Sequence, residues 1–551
     1  MLDIEFPQKK TLITIDSGAQ RLLDQSWTEI TGLSLLTLME QAAMSVTAAC
    51  LRVIAGLTRK CPGDLPDILV LGGKGNNGGD AWACARQLHA HGYNVSCCEA
   101  LSSDGGDGDA GKQLKALRKL GITWRDADKL CDDTRPDLVV DGMLGSGFRA
   151  ARGVPDSVGK ICRILDGWRR EGTTVVSIDL PSGVDADNGA ISTDAVTADY
   201  TVTFAACKTG LAAAPGSSHA GHIIIEPLSM TADWIIKTLS GQQLPWLLTS
   251  DTIRNWRPER PSDGHKGTFG RVLLIGGGKG MAGAARLAGQ AAARSGAGLV
   301  YMCVDSDSYA AVLPEFPEGL IKPVDFDNDE FDQLKTLSAD KQVIAVGPGL
   351  GSPGWLTNYL AWLLKEKPRL ILDADALNEI SRNPDLHAGY LKSRSQNKLE
   401  CPVLTPHPGE FARLAPDLAP LLKTDRQTAA LRLATRLNCI IVLKGASTVV
   451  AMPDGQSFIN TSGNDGMAKG GSGDCLTGII AGIAAQGLTM EKAACAGVFL
   501  HGLAGDLAAK RVGRTAMLST DLLSDLGSAW QMAGWLPEIK TNLSERMESD
   551  I

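Results

Sequence analysis

The sequence predicts two α/β domains in tandem, and three observations support this fold class. The chain has 551 residues, which is more than one hydrophobic core usually supports. In each half, short apolar runs alternate with helical stretches, which indicates βαβ units and a largely parallel sheet covered on both faces. In each half, an early apolar strand also runs directly into a glycine-rich loop, at residues 72–80 and 276–283.

Strands alternate with helices in both halves, but apart from the two loops no internal repeat is visible, which favours a fusion of different modules. A region with apolar residues at intervals of three and four predicts helix over residues 16–57. The strands predicted in the first half lie at 68–71, 93–97, 138–140, 175–178, 200–204 and 223–225, with helices near 80–91 and 110–120. Those of the second half lie at 271–275, 299–303, 343–346, 370–372, 401–404 and 440–443, followed by helices near 474–487, 490–511 and 519–532.

The apolar pattern weakens between the two halves. Trp, Pro and polar residues mix at 242–246 and 257–261, as they do in segments that connect domains. We therefore predict a first domain at residues 1–235, a linker at 236–262 and a second domain at 263–540.

Composition argues against several classes of function. The net charge of −8 argues against a nucleic-acid partner, whose phosphates favour a basic face. The thirteen cysteines are scattered and never spaced as CxxC, which favours reduced thiols in the cytoplasm over disulfides or zinc. We expect no membrane span, because no apolar run reaches about 18 residues, and no signal peptide, because the N-terminal residues are acidic and lack an apolar core.

Both glycine loops fit the GxGxxG pattern of dinucleotide-binding proteins. Each loop follows a strand and opens a helix, and an acidic residue lies about twenty residues further on, near the next strand end. Taken alone, this pattern indicates two NAD-dependent dehydrogenase domains, but glycine is also common at any tight turn between a strand and a helix. The pattern consists of Gly73, Gly75, Gly78 and Glu99 in the first half, and of Gly278, Gly280, Gly283 and Asp305 in the second.

Polar side chains near the first loop favour a different ligand. Asn76 and Asn77 supply amides that both donate and accept hydrogen bonds. Asp141 and Ser182 each follow a predicted strand, and ligands of open α/β sheets bind where the strands end. If Asn77, Asp141 and Ser182 converge, their oxygen atoms suit an alkali or alkaline-earth cation. The alternative is that each of these residues only caps a helix or a turn.

The second half contains a candidate anion site at residues 470–478. Glycines and a serine open a predicted helix there, so free N–H groups and the helix dipole act at one place. Asp474 on the first turn is a candidate to accept a proton from a hydroxyl while a phosphoryl group moves, or it only stabilises the helix dipole. The residues KGAST (444–448) suit a nucleotide, and His407 is held between two prolines at another strand end, which suggests ligand contact.

These motifs, in this order, resemble those of the bifunctional NAD(P)H-hydrate repair enzymes. In that family an NAD(P)HX epimerase precedes an ADP- or ATP-dependent (S)-NAD(P)HX dehydratase. In the first half the resemblance rests on GKGNNGGD (73–80), DGMLGSG (141–147), DLPSGVDADNG (179–189) and CKTGL (207–211). In the second half it rests on HKGTFGRVLLIGG (265–277), GPGLG (347–351), LDADALN (372–378), TPHPGE (405–410), KGAST (444–448) and GGSGD (470–474).

The resemblance implies a fold and a set of site residues for each domain. The first is expected to be a Rossmann-like, three-layer epimerase domain with a potassium ion held by Asn77, Asp141 and Ser182. Its expected substrate contacts are Asn76, Asn77, Gly78, Gly79, Asp80, Gly145, Ser146, Gly147, Phe148, Arg149, Ala150, Ala151 and Asp179, with Asp185 and Lys208 as candidates for proton transfer. The second is expected to be ribokinase-like, with substrate contacts from Ala284, Gly349, His407 and Asp474 and nucleotide contacts from Lys444, Gly445, Ala446, Ser447, Thr448 and Gly473.

The implied reaction repairs NADH and NADPH that carry a hydroxyl on carbon 6 of the reduced ring. Asp474 is expected to help that hydroxyl attack the terminal phosphoryl group of ADP or ATP, with Mg²⁺ on the phosphates. Phosphate is then eliminated, and the epimerase interconverts the R and S forms because only the S form is dehydrated. We expect a cytoplasmic homo-oligomer whose partners are small molecules, without nucleic acid or membrane.

Other functions are compatible with parts of this pattern. The anion site of the second half is shared with sugar and pyrimidine-alcohol kinases, so a small-molecule kinase is the main alternative. A non-catalytic ligand-binding or scaffold role is the alternative for the first half. A dehydrogenase lacks support, because the sequence shows no His–Asp or Tyr–Lys arrangement for it.

Overall fold

The computed structural model describes residues 2–5, 11–57, 65–101, 106–132, 134–328, 330–384, 389–391, 394 and 398–536. The chain divides into two compact units. The N-terminal unit contains Leu2–Leu247 with Pro420–Thr428, and the C-terminal unit contains Leu248–Ala419 with the chain from Ala429 onwards.

Within the described residues, the N-terminal unit has one sheet, in the order β1-β8-β7-β6-β5-β2-β3-β4. Every neighbouring pair of strands is parallel, and parallel strands need crossover connections. The strands are β1 (Ile4–Glu5), β2 (Asp67–Gly72), β3 (Asn94–Glu99), β4 (Thr123–Trp124), β5 (Leu138–Gly142), β6 (Thr174–Ile178), β7 (Tyr200–Phe204) and β8 (His222–Glu226). The helices are α1 (Ser17–Thr31), α2 (Leu35–Gly56), α3 (Asn76–Ala90), α4 (Asp109–Arg118), α5 (Asp156–Arg170), α6 (Thr209–Ala212) and α7 (Ala232–Thr238).

Alternate residues of these strands enter two separate hydrophobic cores. Val70 and Val140 pack in one core with residues of α1, α2 and α3. Leu71 and Val139, their neighbours in the chain, pack in a second core with residues of α5. Burial on both faces explains why the strands are continuously apolar, and it confirms the expected three-layer arrangement.

Helix α2 is the one described helix that is long and apolar enough to cross a membrane, judged by length and composition only. Of its apolar window, 56% is buried inside the protein. Ala43, Val46 and Cys50 have no exposed surface. Such burial is typical of a core helix in a globular domain.

The segment predicted as a linker, residues 236–262, contains ordered elements. These are the end of α7, strand β9 (Trp246–Leu248) and helix α8 (Ser250–Arg254). In the N-terminal unit, Leu247 N donates to Leu12 O at 2.7 Å. In the C-terminal unit, the fully buried Ile253 accepts a hydrogen bond from Trp535 Nε1 at 2.9 Å. The partners of these short apolar elements lie far away in sequence, which is why local composition did not reveal them.

The C-terminal unit has a second sheet, which includes the order β12-β11-β10-β13-β14-β15-β16-β17-β18. The strands from β12 to β16 are parallel, and β17 and β18 add an antiparallel hairpin. They are β10 (Arg271–Ile275), β11 (Leu299–Asp305), β12 (Leu320–Val324), β13 (Val343–Val346), β14 (Leu370–Leu372), β15 (Val403–Leu404), β16 (Ile440–Leu443), β17 (Val449–Ala451) and β18 (Ser457–Asn460).

The helices of this unit after α8 complete an α/β architecture, as predicted. They are α9 (Ala282–Arg294), α10 (Ser306–Val312), α11 (Phe331–Leu337), α12 (Leu356–Glu366), α13 (Asp375–Arg382), α14 (Pro408–Leu414), α15 (Arg426–Leu437), α16 (Ser472–Ala485), α17 (Met490–Val512) and α18 (Ser519–Met532). Four strands, β10, β13, β14 and β16, have the predicted bounds. The sequence missed β12, whose LIKPV residues are mostly exposed, so its apolar signal is weak.

Candidate active sites

The carboxyl ends of β2 and β5 form the centre of the candidate site in the N-terminal unit. The chain order reverses between these strands, because β3 and β4 lie beyond β2 whereas β6, β7 and β8 lie beyond β5. Ligands of open α/β sheets bind at such a switch point. A cavity of about 610 Å³ opens there, and it is lined by the predicted contacts Asn76, Asn77, Asp80, Gly145, Ser146, Gly147, Phe148 and Asp179. Gly78, Gly79, Arg149, Ala150 and Ala151 lie outside its wall.

The first glycine loop is shaped by backbone contacts that exclude side chains. A Cβ at Gly73 would lie 1.9 Å from Met143 O, and one at Gly78 would lie 2.0 Å from Gly73 O. These glycines therefore let the loop pack directly against itself and against the chain after β5. Because α3 begins at Asn76, the side chain of Asn77 is carried on its first turn.

Asp141 on β5 is completely buried and links the neighbouring segments. Ser182 donates to it twice, from Oγ to Oδ1 at 2.6 Å and from N to Oδ2 at 2.9 Å. Ser177 Oγ also donates to Oδ2, at 2.9 Å. Burial raises the pKa of Asp141, although the hydrogen bonds from Ser182 and Ser177 oppose the shift. Among the described residues no cation pairs with this carboxylate, so its ionised form is poorly compensated.

Asn77 and Ser182 meet at the Leu144 peptide. Asn77 Nδ2 donates to Leu144 O at 2.9 Å, and Leu144 N donates to Ser182 Oγ at 2.9 Å. Within the described chain, Asn77 Oδ1 is buried and has no hydrogen-bond partner. An unpaired buried acceptor is costly, and a cation satisfies both that oxygen and the nearby carboxylate. The structure therefore links Asn77, Asp141 and Ser182 through hydrogen bonds around Leu144, and their oxygen atoms suit an alkali or alkaline-earth cation.

Asp179 and Lys208 form a buried ion pair beside the cavity. Lys208 Nζ lies 2.7 Å from Asp179 Oδ1, and the lysine side chain is fully buried. Asp179 has a φ of 62°, a left-handed conformation that is strained for residues other than glycine. Such strain is often found at functional sites, and Asp179 itself lines the cavity.

Two further carboxyl groups, those of Asp80 and Asp24, line the same cavity. Burial raises the pKa of Asp80 well above its ordinary value, and the Asp179 and Asp24 carboxylates add to the shift. Burial also raises the pKa of Asp24, against a hydrogen bond that Gln20 Nε2 donates at 2.8 Å. Carboxyl groups with raised pKa values thus stand near the Asp179–Lys208 ion pair, which suits proton transfer.

Asp185, a predicted proton-transfer residue, contacts backbone N–H groups and, at 3.9 Å, the Arg149 guanidinium rather than the cavity. Its carboxylate accepts hydrogen bonds from Ala150 N and Asp187 N, both at 3.1 Å, and the residue is not part of the cavity wall. Arg149 is also held internally, by Ser17 Oγ at 2.5 Å and Asp187 Oδ2 at 2.9 Å. This geometry favours a positioning role for Asp185, and its part in proton transfer stays a prediction.

The candidate site of the C-terminal unit lies where α16 begins. The helix starts after Gly471, whose φ of 89° favours glycine, and it carries Asp474 on its first turn, as predicted. Burial raises the pKa of Asp474 to about 6, the charge of Asp373 adds to the shift, and Lys444 opposes it. Asp474 therefore exchanges protons near neutral pH, which is the range that a general base needs.

Lys444 follows β16 and lies between two carboxylates and α16. Its Nζ is 2.8 Å from Asp373 Oδ1 and 3.9 Å from Glu410 Oε2. Burial lowers the pKa of Lys444, but these two carboxylates outweigh burial, and the pKa is raised overall. A Cβ at Gly473 would lie 3.2 Å from Nζ, so the ammonium comes close to the first turn of the helix. A charged amine next to free N–H groups suits a phosphate ligand.

The other predicted substrate contacts of this unit fall in two places. Gly349 has a φ of 57°, and a Cβ there would lie 3.0 Å from Ala284 Cβ, so these two residues are neighbours. His407 caps α14, where its Nδ1 accepts from Gly409 N at 3.0 Å. The half-exposed His407 ring also lies 3.3 Å from Glu410 Oε1, which connects it to the cluster around Lys444.

Sequence reasoning missed several residues that shape these sites. Asp373 lies in the motif LDADALN (372–378) and Glu410 in TPHPGE (405–410). Their position shortly after a predicted strand was the signal that could have identified them. Asp24 and His501 lie in the middle of helices, where the local sequence gives no sign that a residue belongs to a site. His501 Nε2 lies 3.0 Å from Ser472 O, at the start of α16, and burial lowers the pKa of His501 to about 4.

The acids that complete the dinucleotide pattern have structural roles. Glu99 pairs with Arg118 on α4. Asp305 accepts from Asp307 N at 3.0 Å and from Phe326 N at 3.2 Å, and so caps α10. Both acids are thus engaged within the protein, which counts against the dehydrogenase interpretation.

The fold and these sites define a two-unit α/β enzyme with one nucleotide-type site in each unit. A family model described as NAD(P)H-hydrate dehydratase matches residues 272–527, and one described as YjeF-related protein N-terminus matches residues 35–210. The chain is 36% identical to the bifunctional NAD(P)H-hydrate repair enzyme Nnr of Moorella thermoacetica, covering 93% of this chain and 94% of that protein. It is 35% identical to the enzyme of that name from Escherichia coli, covering 90% of each chain.

A crystal structure of ADP/ATP-dependent NAD(P)H-hydrate dehydratase from Bacillus subtilis is 30% identical, with a TM-score of 0.44, and covers 52% of this chain and 98% of that one. The matches over the full length show that the chain belongs to the bifunctional NAD(P)H-hydrate repair enzymes. It is an NAD(P)HX epimerase fused to an NAD(P)H-hydrate dehydratase, which confirms the function expected from the motifs, and both units have the expected α/β architecture. A small-molecule kinase is not favoured.

Proposed function

We propose that Asp474 is the general base of the dehydratase. It accepts the proton of the C6 hydroxyl of (S)-NAD(P)HX while the hydroxyl oxygen attacks the terminal phosphoryl group of ADP or ATP. One observation carries this proposal: a carboxylate whose pKa is raised to about 6 stands on the first turn of α16, near the Lys444 ammonium. Free N–H groups at the start of the helix stabilise the charge on the moving phosphoryl group.

The phosphoryl transfer is followed by elimination. As the hydroxyl oxygen bonds to the terminal phosphoryl group, the bond between that group and the nucleotide breaks, and AMP or ADP leaves. The phosphate then departs from C6 with the electrons of the C6–O bond as the ring nitrogen forms a double bond to C6, and transfer of a proton from C5 to the departing phosphate restores the neutral reduced ring. In this proposal the nucleotide enters as its magnesium complex and contacts Lys444–Thr448 and Gly473, whereas Ala284, Gly349 and His407 contact the substrate.

In the N-terminal unit, we propose that the hydrated ring binds in the cavity after β2 and β5. Asn76, Asp80 and Asp179 are its polar contacts, together with residues 145–148. Lys208 exchanges protons through its ion pair with Asp179. Residues 149–151 do not line the cavity. The hydrogen bond from Ala150 N to Asp185 holds their segment in place.

We also propose that a potassium ion is held by Asn77, Asp141 and Ser182. The support is the buried, unpaired Asn77 Oδ1 next to a deeply buried carboxylate. When bound, the ion neutralises that carboxylate and fixes α3 against the segment after β5. A cytoplasmic location and a homo-oligomer stay predictions, as does the restriction of partners to NADHX, NADPHX and adenine nucleotides.

A mixture of R and S hydrated NADH tests both sites in one assay. With ADP or ATP, the near-ultraviolet absorbance of reduced nicotinamide is expected to recover completely, with release of inorganic phosphate. Asp474→Asn is expected to lower this rate by about 10²- to 10⁴-fold, while epimerisation continues. Asp179→Asn is expected to leave only the S portion convertible. The matched control is Asp305→Asn, a buried helix-capping aspartate of the C-terminal unit, which should keep both activities.

Two outcomes would contradict the assignments. Full dehydration by Asp474→Asn would remove Asp474 from the reaction. A stable phosphorylated product without recovery of absorbance would mean that the elimination step does not occur.

A further inference from the structure

A buried carboxylate outside the assigned site residues joins the two halves of the dehydratase site. Asp373 follows β14 and is 1% exposed. Its Oδ1 lies 2.8 Å from Lys444 Nζ, and its Oδ2 accepts a hydrogen bond from Thr477 Oγ1 at 2.8 Å. Thr477 is itself fully buried and lies three residues after Asp474 on α16, so both residues occupy one face of the helix.

The backbone holds Asp373 firmly in this position. Its N–H donates to Val346 O at 3.0 Å, which fixes the end of β14 to β13. Gly347 lies so close that a Cβ there would be 1.8 Å from Asp373 O. Ala374, the next residue, has a φ of 45°, a strained conformation for alanine. A rigid, strained turn of this kind is often found at functional sites.

We propose that Asp373 is a positioning residue of the dehydratase, which clamps the Lys444 ammonium to the first turn of α16 and so places Asp474 for proton transfer. This inference rests on the proposed role of Asp474. One carboxylate oxygen holds the cation for the phosphates, and the other holds the helix that carries the base. The charge of Asp373 also acts on Asp474 directly, as do the charges of Lys444, Asp375 and Glu410.

The test is the dehydratase pH profile of the full-length Asp373→Asn variant, with Asp474→Asn measured in parallel. Loss of the Asp373 charge is expected to lower the pKa of Asp474, because that charge now raises it. The acid limb of kcat should therefore move to lower pH. The plateau of kcat should fall by about a hundredfold because the reacting groups are misplaced. A merely structural aspartate, such as Asp305 in the Asp305→Asn control, should leave the acid limb in place.

Thr477→Val removes the hydrogen bond from Thr477 Oγ1 to Asp373 Oδ2 and leaves every charge intact. It is expected to lower the plateau of kcat with little change in the acid limb, and it keeps the test decisive where Asp373→Asn does not fold. The inference is overturned if Thr477→Val keeps the wild-type plateau, or if folded Asp373→Asn keeps the wild-type plateau and acid limb. If Asp474→Asn is active, the proposed function fails instead, so the two failures are distinguishable.

Discussion

The two glycine loops have the same pattern and the same place after a strand, but the third glycine of the pattern is packed tightly in only the first of them. In the loop at 72–80, Gly78 is essential for close packing, because a Cβ there would lie 2.0 Å from Gly73 O. In the loop at 276–283, the corresponding Gly283 meets nothing within 4 Å. The first loop carries Asn77 and lines a cavity, whereas the helix start that we propose as the catalytic site of the second unit lies much later in the chain, at α16. A shared glycine pattern therefore shows tight strand-to-helix turns and does not by itself show a shared ligand.

The largest effect expected from this comparison is that of Gly78→Ala. The added methyl group would overlap the Gly73 carbonyl, and overpacking of this kind costs about 1–3 kcal/mol. We expect a lower melting temperature of the N-terminal unit and loss of epimerisation, with dehydration of the S form retained. Gly75→Ala is the matched control in the same loop, since nothing lies within 4 Å of its Cβ position. Equal melting temperatures of the two variants would show that the loop is not sterically constrained.

The second largest effect is expected from potassium, which should stabilise the N-terminal unit and not the C-terminal one. The proposed potassium site contains the buried, unpaired Asn77 Oδ1, which lies in the first loop. A ligand at a hundredfold excess over its Kd stabilises a protein by about 2.7 kcal/mol. Thermal unfolding in potassium chloride is therefore expected to show a higher Tm for the N-terminal unit than unfolding in tetramethylammonium chloride of equal ionic strength. Asn77→Ala should abolish this difference, whereas Asn76→Ala should keep it. A salt response that is the same in all three proteins would argue against the site.

The next smaller effect is expected in the pH dependence of the two activities, dehydration and epimerisation. Because the pKa of Asp474 is raised to about 6, the base is protonated below that pH and ionised above it. Dehydration is expected to rise as the pH increases through about 6 and then to level off. The proposed epimerase site contains other titratable groups, among them Asp80, whose pKa burial raises well above its ordinary value. The two activities, measured on one preparation, should therefore have different pH profiles, and coincident profiles would contradict the assignment.

The smallest effect is expected from Gly283→Ala. This residue lies on the first turn of α9 with open space around its Cβ position, and alanine is favoured over glycine in a helix by up to about 1 kcal/mol. Denaturant unfolding of the C-terminal unit should show a slight gain in stability with unchanged activity. Gly277→Ala is the contrasting variant, because Gly277 has a φ of 69° and a Cβ there would lie 2.7 Å from Ala285 Cβ. Destabilisation by Gly283→Ala would show that the loop is tighter than its geometry indicates.

Much of the fold could be predicted because its signals are local. The runs at 272–275 and 343–346 are apolar throughout and form the strands β10 and β13, whose bounds were predicted, since strands buried on both faces cannot alternate with polar residues. The start of α16 was also predicted, because glycine and serine before an apolar helix mark a helix N-terminus. The edge strand β12 was missed because it is mostly exposed and so lacks that signal.

The sequence by itself determined the two α/β units, the glycine loops and the identity of most residues at the strand ends, because helix and strand periods and turn chemistry are read from neighbours in the chain. Only the tertiary structure decided which of these residues meet. It left Asn77 Oδ1 unpaired beside a buried carboxylate, brought Asp24 into the first cavity and joined Asp373 to Lys444 and Thr477. It also engaged Glu99 and Asp305 in structural contacts. The physical reason is that burial and electrostatic interaction depend on distance in space, whereas a motif records only distance along the chain.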